Sequence, residues 1–248
     1  MTPLLTISGA SKSFGAIRAV RDVSLSVEEG QILGIAGPNG SGKSTLFNII
    51  TKTPFGPDAG RVVLSGTDLS GLRAHEIARR GVARTFQRES VFSTLSAIDN
   101  VLVAVENSSG RGRFAANLDT AEWALDLAGF PANMHNAAAS SLPIFQRKLI
   151  MIASALALRP KVLLLDEPAA SLTPHEIARV QTLIFKFKSL GIAIVLIEHV
   201  LPLLTSVSDR LAVLDYGTLV AHGLPADVIA DPHVIEAYLG KKYEPLAS

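Results

Sequence analysis

The chain has 248 residues, a formal net charge of +1, 48% apolar residues and no cysteine. That length buries a sizeable core in one large domain or a core with a subdomain. Lys and Arg are interspersed with Asp and Glu, with no basic block or aromatic-basic stripe, which argues against a nucleic-acid partner. The missing cysteines exclude a disulfide scaffold or thiolate metal site and suit a reducing compartment. No stretch approaches the roughly 18–20 apolar residues that span a bilayer, and the start Met1-Thr-Pro-Leu-Leu-Thr lacks the charged and apolar regions of a signal peptide, so a soluble intracellular chain is expected.

Residues 4–36 alternate short β-like runs with turns, as in Leu4-Leu-Thr-Ile-Ser8 and Val23-Ser-Leu-Ser-Val27, and Arg61-Val-Val-Leu-Ser65 resumes the pattern. These predict a small antiparallel sheet. Between them, Gly37, Pro38, Asn39, Gly40, Ser41, Gly42, Lys43, Ser44 and Thr45 match G-x-x-x-x-G-K-[ST] in full. The flanks suit the motif, with strand-like Ile32-Leu-Gly-Ile-Ala36 before it and helix-like Leu46-Phe-Asn-Ile-Ile50 after it. The three glycines let successive backbone N–H groups point inward at a helix N-terminus, forming a concave anion nest. Lys43 adds a point charge for the β- and γ-phosphates of a nucleoside triphosphate, and Ser44 offers a hydroxyl to Mg²⁺.

Residues 69–80 and 96–158 read as mostly helical, with Leu149, Ile152, Ala153 and Leu156 at i, i+3, i+4, i+7 spacing. The expectation is one domain over residues 1–248, with a helical subdomain inserted at about 88–158. Val162-Leu-Leu-Leu165 and Ile192-Ala-Ile-Val-Leu-Ile197 are continuously apolar, as in parallel strands buried on both faces. Each ends in charge, the first at Asp166-Glu167 and the second at Glu198-His199, and the C-terminal ends of parallel strands are where open α/β sheets do chemistry. Asp166 then faces the Mg²⁺ shell and Glu167 the water that attacks the γ-phosphate. Thr173-Pro-His-Glu176 is a capping box with Pro at the first helical position. The fold class predicted is α/β, a P-loop NTPase core with a small antiparallel β-subdomain and an inserted helical subdomain.

Over essentially its whole length the chain resembles an ATP-binding subunit of an ATP-binding cassette transporter, and within that family the branch energising uptake of branched-chain amino acids and related amides. The resemblance is carried by residues 37–50, Gly81-Val-Ala-Arg-Thr-Phe-Gln87, Leu163-Leu-Leu-Asp-Glu-Pro-Ala-Ala170, Glu198-His199 and Val234-Ile-Glu-Ala-Tyr-Leu-Gly240. It implies that Phe14 lies against the adenine face and that Gln87 links Mg²⁺ and water to a membrane partner. It also implies that His199 holds the γ-phosphate and the catalytic water, while Glu167 is the general base or water orienter. ATP and Mg²⁺ are the implied cofactors. The implied partners are transmembrane permease subunits and a second ATP-binding subunit in a head-to-tail dimer, peripheral on the cytoplasmic face of the inner membrane. Val91 and Phe92, just after Gln87, are expected in the seat for a permease helix.

The signature loop departs from the family, as do Met151 and Ser154 in the helix after it and the loop Ala170-Ser-Leu-Thr173, which lacks the acidic end of many relatives. Where relatives carry a Leu-Ser-Gly-Gly-Gln-like loop that covers the partner's γ-phosphate, this chain reads Leu142-Pro-Ile-Phe-Gln146; the resembling branch often accepts Pro and an aromatic in the second and third places but keeps the glycine where this chain has Phe145. A phenylalanine in place of the glycine is expected to bring bulk and a conformational penalty, and Pro143 cannot donate an N–H. The reading that follows is a heterodimer with a paralogue, slow hydrolysis by the isolated chain, and faster hydrolysis on restoring glycine at Phe145. A nucleotide-binding subunit with weak hydrolysis of its own, or a soluble cassette ATPase, is the alternative.

Overall fold

The structure is a computed structural model and describes residues 3–109 and 114–239. Met1, Thr2 and Gly240, which the sequence reading touches, lie outside the described residues. A four-stranded antiparallel sheet, in the order β2-β1-β4-β5, comprises β1 (Leu5–Phe14), β2 (Ile17–Val27), β4 (Ala59–Leu64) and β5 (Thr67–Asp68). The strands at 5–14 and 17–27 run well past the short apolar runs visible in the sequence. Register shifts in their pairing absorb Gly9, whose φ is 60°, so the ladder continues through a stretch with no clean alternation.

The second sheet is β10-β9-β3-β8-β7-β6, built from β3 (Ile32–Ala36), β6 (Val82–Arg84), β7 (Val162–Asp166), β8 (Ala193–Ile197), β9 (Arg210–Asp215) and β10 (Thr218–Gly223). The contiguous strands β9, β3, β8, β7 and β6 are parallel, and β10 closes the edge as an antiparallel hairpin. Between strands run α1 (Lys43–Thr51), α2 (Ala74–Arg79), α3 (Ala97–Ser109), α4 (Phe114–Leu127), α5 (Ile144–Leu156), α6 (Pro174–Ser189) and α7 (Leu201–Val207), followed near the end by α8 (Pro225–Ile229) and α9 (Pro232–Leu239). Helices α3, α4 and α5 pack on one another in the region read as helical, with short 3₁₀ turns at 132–134 and 139–141 between α4 and α5. In α5 the predicted face, Leu149, Ile152, Ala153 and Leu156, is buried. The capping box is present: Thr173 Oγ1 accepts from Glu176 N, and Glu176 Oε2 accepts from Thr173 N at 2.8 Å.

The parallel sheet separates two cores, and the period of two along each strand decides what reaches the phosphate loop. Val162 and Leu164 of β7, with Val195 and Ile197 of β8, join Leu46, Phe47 and Ile50 of α1 and the antiparallel sheet. Leu163, Leu165, Ile194 and Leu196 join the helices on the other face. Counting on by two, Asp166 emerges on the α1 side after Leu164, and Arg84 does the same after Val82 of β6.

Candidate functional site

The phosphate loop leaves β3 and enters α1 through backbone that only glycine tolerates at two points. Gly37 has φ 145° and a Cβ there would stand 2.1 Å from Leu214 O; Gly42 has φ 103° and a Cβ would stand 2.3 Å from Ala19 O. Both glycines let the loop close against its own scaffold. Lys43 is 6% exposed, and its ammonium donates to Gly37 O at 2.7 Å and Pro38 O at 2.9 Å. Burial lowers its pKa, opposed by the charges of Glu167 and Asp166.

A cleft of about 260 Å³ opens over this loop, lined by Ala19, residues 39–45, Gln87, Glu167 and His199. Seven loop residues and three of the acid, amide and imidazole groups picked from sequence therefore meet in one place. Glu167 sits in the left-handed region with φ 51°, an unusual setting for a side-chain-bearing residue and one met at functional turns. Its Oε2 accepts from Gln87 Nε2 at 2.9 Å, and its Oε1 lies 2.8 Å from His199 Nε2. Lys148 Nζ donates to Glu167 O at 3.1 Å, so α5 helps hold the turn.

Asp166, the last residue of β7, is not among the residues lining that cleft. Its Oδ2 accepts from Arg84 NH2 at 2.8 Å, while its Oδ1 is buried with no hydrogen-bond partner. Burial raises its pKa, opposed by the bond and the charge of Arg84. A buried carboxylate oxygen without a donor, at the end of β7 on the α1 side of the sheet, suits a hard cation, as does the hydroxyl of Ser44 on α1. Among the described residues no group of three or more His, Cys, Asp or Glu could cage an ion. Mg²⁺ does not need one, since it keeps waters and draws ligands from phosphates.

Phe14 stands apart, at the β1–β2 turn. It is 45% exposed, edge-on to Phe55 at 5.0 Å, with Lys12 Nζ 5.7 Å from its ring. Val91 packs against the helical core, whereas Phe92 is 54% exposed, its N–H donating to Asn100 Oδ1 at 2.7 Å. The paired expectation for these two residues thus divides.

Phe145 corrects the sequence reading. It lies in the first turn of α5 with helical backbone, so the left-handed penalty does not arise, and its ring is 2% exposed in the helical core with the Arg179 guanidinium 4.7 Å above it. The bulk is turned inward. Pro143 does stand at the N-cap of α5, with no side-chain cap bond.

Sequence reasoning missed three supports of the site. In the sequence Arg84 is one letter of the motif ending at Gln87, and Lys148 one position of a helical stretch. Glu198 was read as strand-end charge; instead its carboxylate is 2% exposed, with Oε1 accepting from Ala169 N at 2.6 Å and Oε2 from His199 N at 3.2 Å. Burial raises its pKa against those backbone bonds. The parity of Arg84 with Val82 was the one available signal, since an arginine in step with a core-facing valine calls for a buried partner.

A sequence model of the ABC transporter family matches residues 20–170, and a model described as a branched-chain amino acid ATP-binding cassette transporter matches residues 218–244. The chain is 37% identical to the high-affinity branched-chain amino acid transport ATP-binding protein BraF of Pseudomonas aeruginosa, across 96% of this chain and 98% of BraF. It is 36% identical to the corresponding LivG protein of Escherichia coli K12, with the same coverage. Among solved structures, the ADP conformation of MJ1267, an ATP-binding cassette of an ABC transporter, superposes with a TM-score of 0.84 at 29% identity, covering 97% of this chain and all of that one. With the family model spanning more than half its length, this chain belongs to the ABC transporter family and is one of its ATP-binding subunits.

Proposed function

We propose that the chain is the ATP-hydrolysing motor of an importer for branched-chain amino acids or related small amides. It works with Mg²⁺ on the cytoplasmic face of the inner membrane, beneath permease subunits. The observation that carries the hydrolytic part is the Glu167 carboxylate, held between Gln87 and His199 at the mouth of the phosphate loop. The cargo is supported by the match over residues 218–244 and by the names of the relatives. Among the described residues no helix is long and apolar enough to cross a membrane.

In this reading the N–H groups of residues 39–45 cradle the phosphates, and Lys43 exchanges its bonds to Gly37 O and Pro38 O for β- and γ-phosphate oxygens. Phe14 offers its exposed ring to the adenine. Ser44, Asp166 through Oδ1, and Gln87 would hold Mg²⁺, which supplies neutralisation of the charge developing on the phosphates. Glu167 Oε1 takes a proton from the attacking water as the water oxygen bonds to the γ-phosphorus and the bond to the β-phosphate oxygen breaks. His199 steadies the γ-phosphate and holds Glu167 in line. Because Gln87 binds the same carboxylate and leads into the exposed Phe92, a permease helix seated on Phe92 can draw Glu167 into or out of line.

The test is purification with the integral subunits that bind the chain, followed by reconstitution in vesicles and uptake of labelled leucine. Glu167→Gln should keep ATP affinity while turnover falls roughly 10²–10⁴-fold, since the amide is a far weaker base, and uptake should stop with it. Undiminished turnover removes Glu167 from its role; ATP hydrolysis without uptake of any branched-chain amino acid removes the cargo.

The second cassette of the dimer is proposed to be a paralogue. The support is Pro143, which gives the loop that would cover the partner's phosphate neither a hydroxyl nor an N–H at that position.

A further inference from the structure

We infer that Arg84 is a positioning residue for the cation site, setting which oxygen of Asp166 is left free and locking the strand that carries Asp166 to the helix that carries Ser44. This rests on the proposed Mg²⁺ role of Asp166 and Ser44. The guanidinium makes two bonds to two elements: NH2 donates to Asp166 Oδ2 on β7 at 2.8 Å, and NH1 donates to Asn48 Oδ1 on α1 at 2.6 Å. Two rings lie against it, with its central carbon 5.3 Å from the Phe47 centroid and 5.1 Å from that of Phe86. Side-chain exposure is 7% for Arg84 and 1% for Asp166, so the contact is shielded from solvent and its geometry is fixed by packing.

The consequence lies in what remains. With Oδ2 taken, the carboxylate has one buried oxygen without a donor, Oδ1, and it cannot rotate to exchange the two without breaking the bond to Arg84. Asn48 stands one helical turn beyond Ser44, on the same helix. The chain Asp166–Arg84–Asn48 therefore spans the two elements whose separation sets the distance between the carboxylate and the serine hydroxyl. Outer partners of metal ligands commonly act this way. A lysine could supply the charge but not two directed bonds on a planar fork.

The experiment measures binding of a non-hydrolysable ATP analogue by calorimetry, in MgCl₂ and in EDTA, for the wild-type chain and for Arg84→Lys, Asn48→Ala and Asp166→Asn, with a melting temperature for each. The wild type should bind more tightly with Mg²⁺, and Asp166→Asn should lose that gain. Arg84→Lys should cut the Mg²⁺-dependent gain by about tenfold, and Asn48→Ala by less, while affinity in EDTA stays at the wild-type value. If both variants keep the full gain, or if their affinities in EDTA and in Mg²⁺ fall in parallel with melting temperature, Arg84 is structural only and the inference is overturned. Should Asp166→Asn itself retain the gain, the metal role of Asp166 is what fails. Should Arg84→Lys not fold, Asn48→Ala decides alone, because Asn48 is only half-buried.

Discussion

Glu198 holds the loop after β7 to the loop after β8 by accepting backbone N–H groups of Ala169 and His199. It holds His199 through that backbone bond and is not among the residues lining the cleft. Burial pushes its carboxyl above the ordinary value of 4.5, against those backbone donors and helped by the like charge of Glu167. A carboxyl more easily protonated in the folded than in the unfolded chain stabilises the fold fully below its unfolded pKa and loses that contribution as pH rises through the folded one. Glu198→Gln has no proton to lose there. The variant should therefore gain melting temperature relative to wild type as pH rises from 5 to 8, read as a slope so that a constant offset from the amide does not matter. A wild type that gains on the variant over that range would mean the backbone donors outweigh burial. Residues such as Glu198 and Lys148 were illegible in the sequence because a buried charge is recognised by its partners, and these partners lie 29 and 19 positions away.

At the scale of elements, the phosphate-loop strand and helix and the two apolar strands ending in acids were legible because each couples a periodicity to a motif. The chain from 82 to 84 and the hairpin 210–223 were not, since β6 is three residues long and β9 and β10 carry no motif beyond a turn at Gly217. Helix α5 shows the limit of motif comparison. A family glycine replaced by Phe145 reads as damage in the sequence, yet the ring fills the helical core under Arg179. Truncating a buried phenylalanine costs about 3–5 kcal/mol. Phe145→Ala should lose stability of that order in chemical denaturation, and Phe145→Gly somewhat more, with no gain in hydrolysis. Faster hydrolysis by Phe145→Gly at unchanged stability would restore the view that backbone access at this residue is limiting.

At the scale of the molecule, one polypeptide has, in the proposed reading, a complete phosphate-binding half and an altered covering half. The complete half is Lys43, Asp166, Glu167 and His199 around the loop. The covering half is the start of α5, where first-turn N–H groups have no intrahelical acceptor and can still face a phosphate. What it lacks is the hydroxyl and the N–H that a serine would place at Pro143. Hydrogen bonds to a charged group are worth about 1.5–3 kcal/mol each, so their loss should weaken ATP-driven pairing of two identical chains by roughly tenfold or more at each of the two interfaces. In the Glu167→Gln background, which keeps ATP bound, light scattering should find the chain mainly monomeric at micromolar concentration, and a cassette paralogue with serine in that place should pair with it. Pro143→Ser should shift the chain toward a homodimer and, with Glu167 intact, raise its hydrolysis. The heterodimer reading is lost if the unaltered chain already dimerises with ATP and hydrolyses it as fast as Pro143→Ser, because the first turn of α5 would then cover the partner's phosphate through Ile144, Phe145 and Gln146 N–H groups alone.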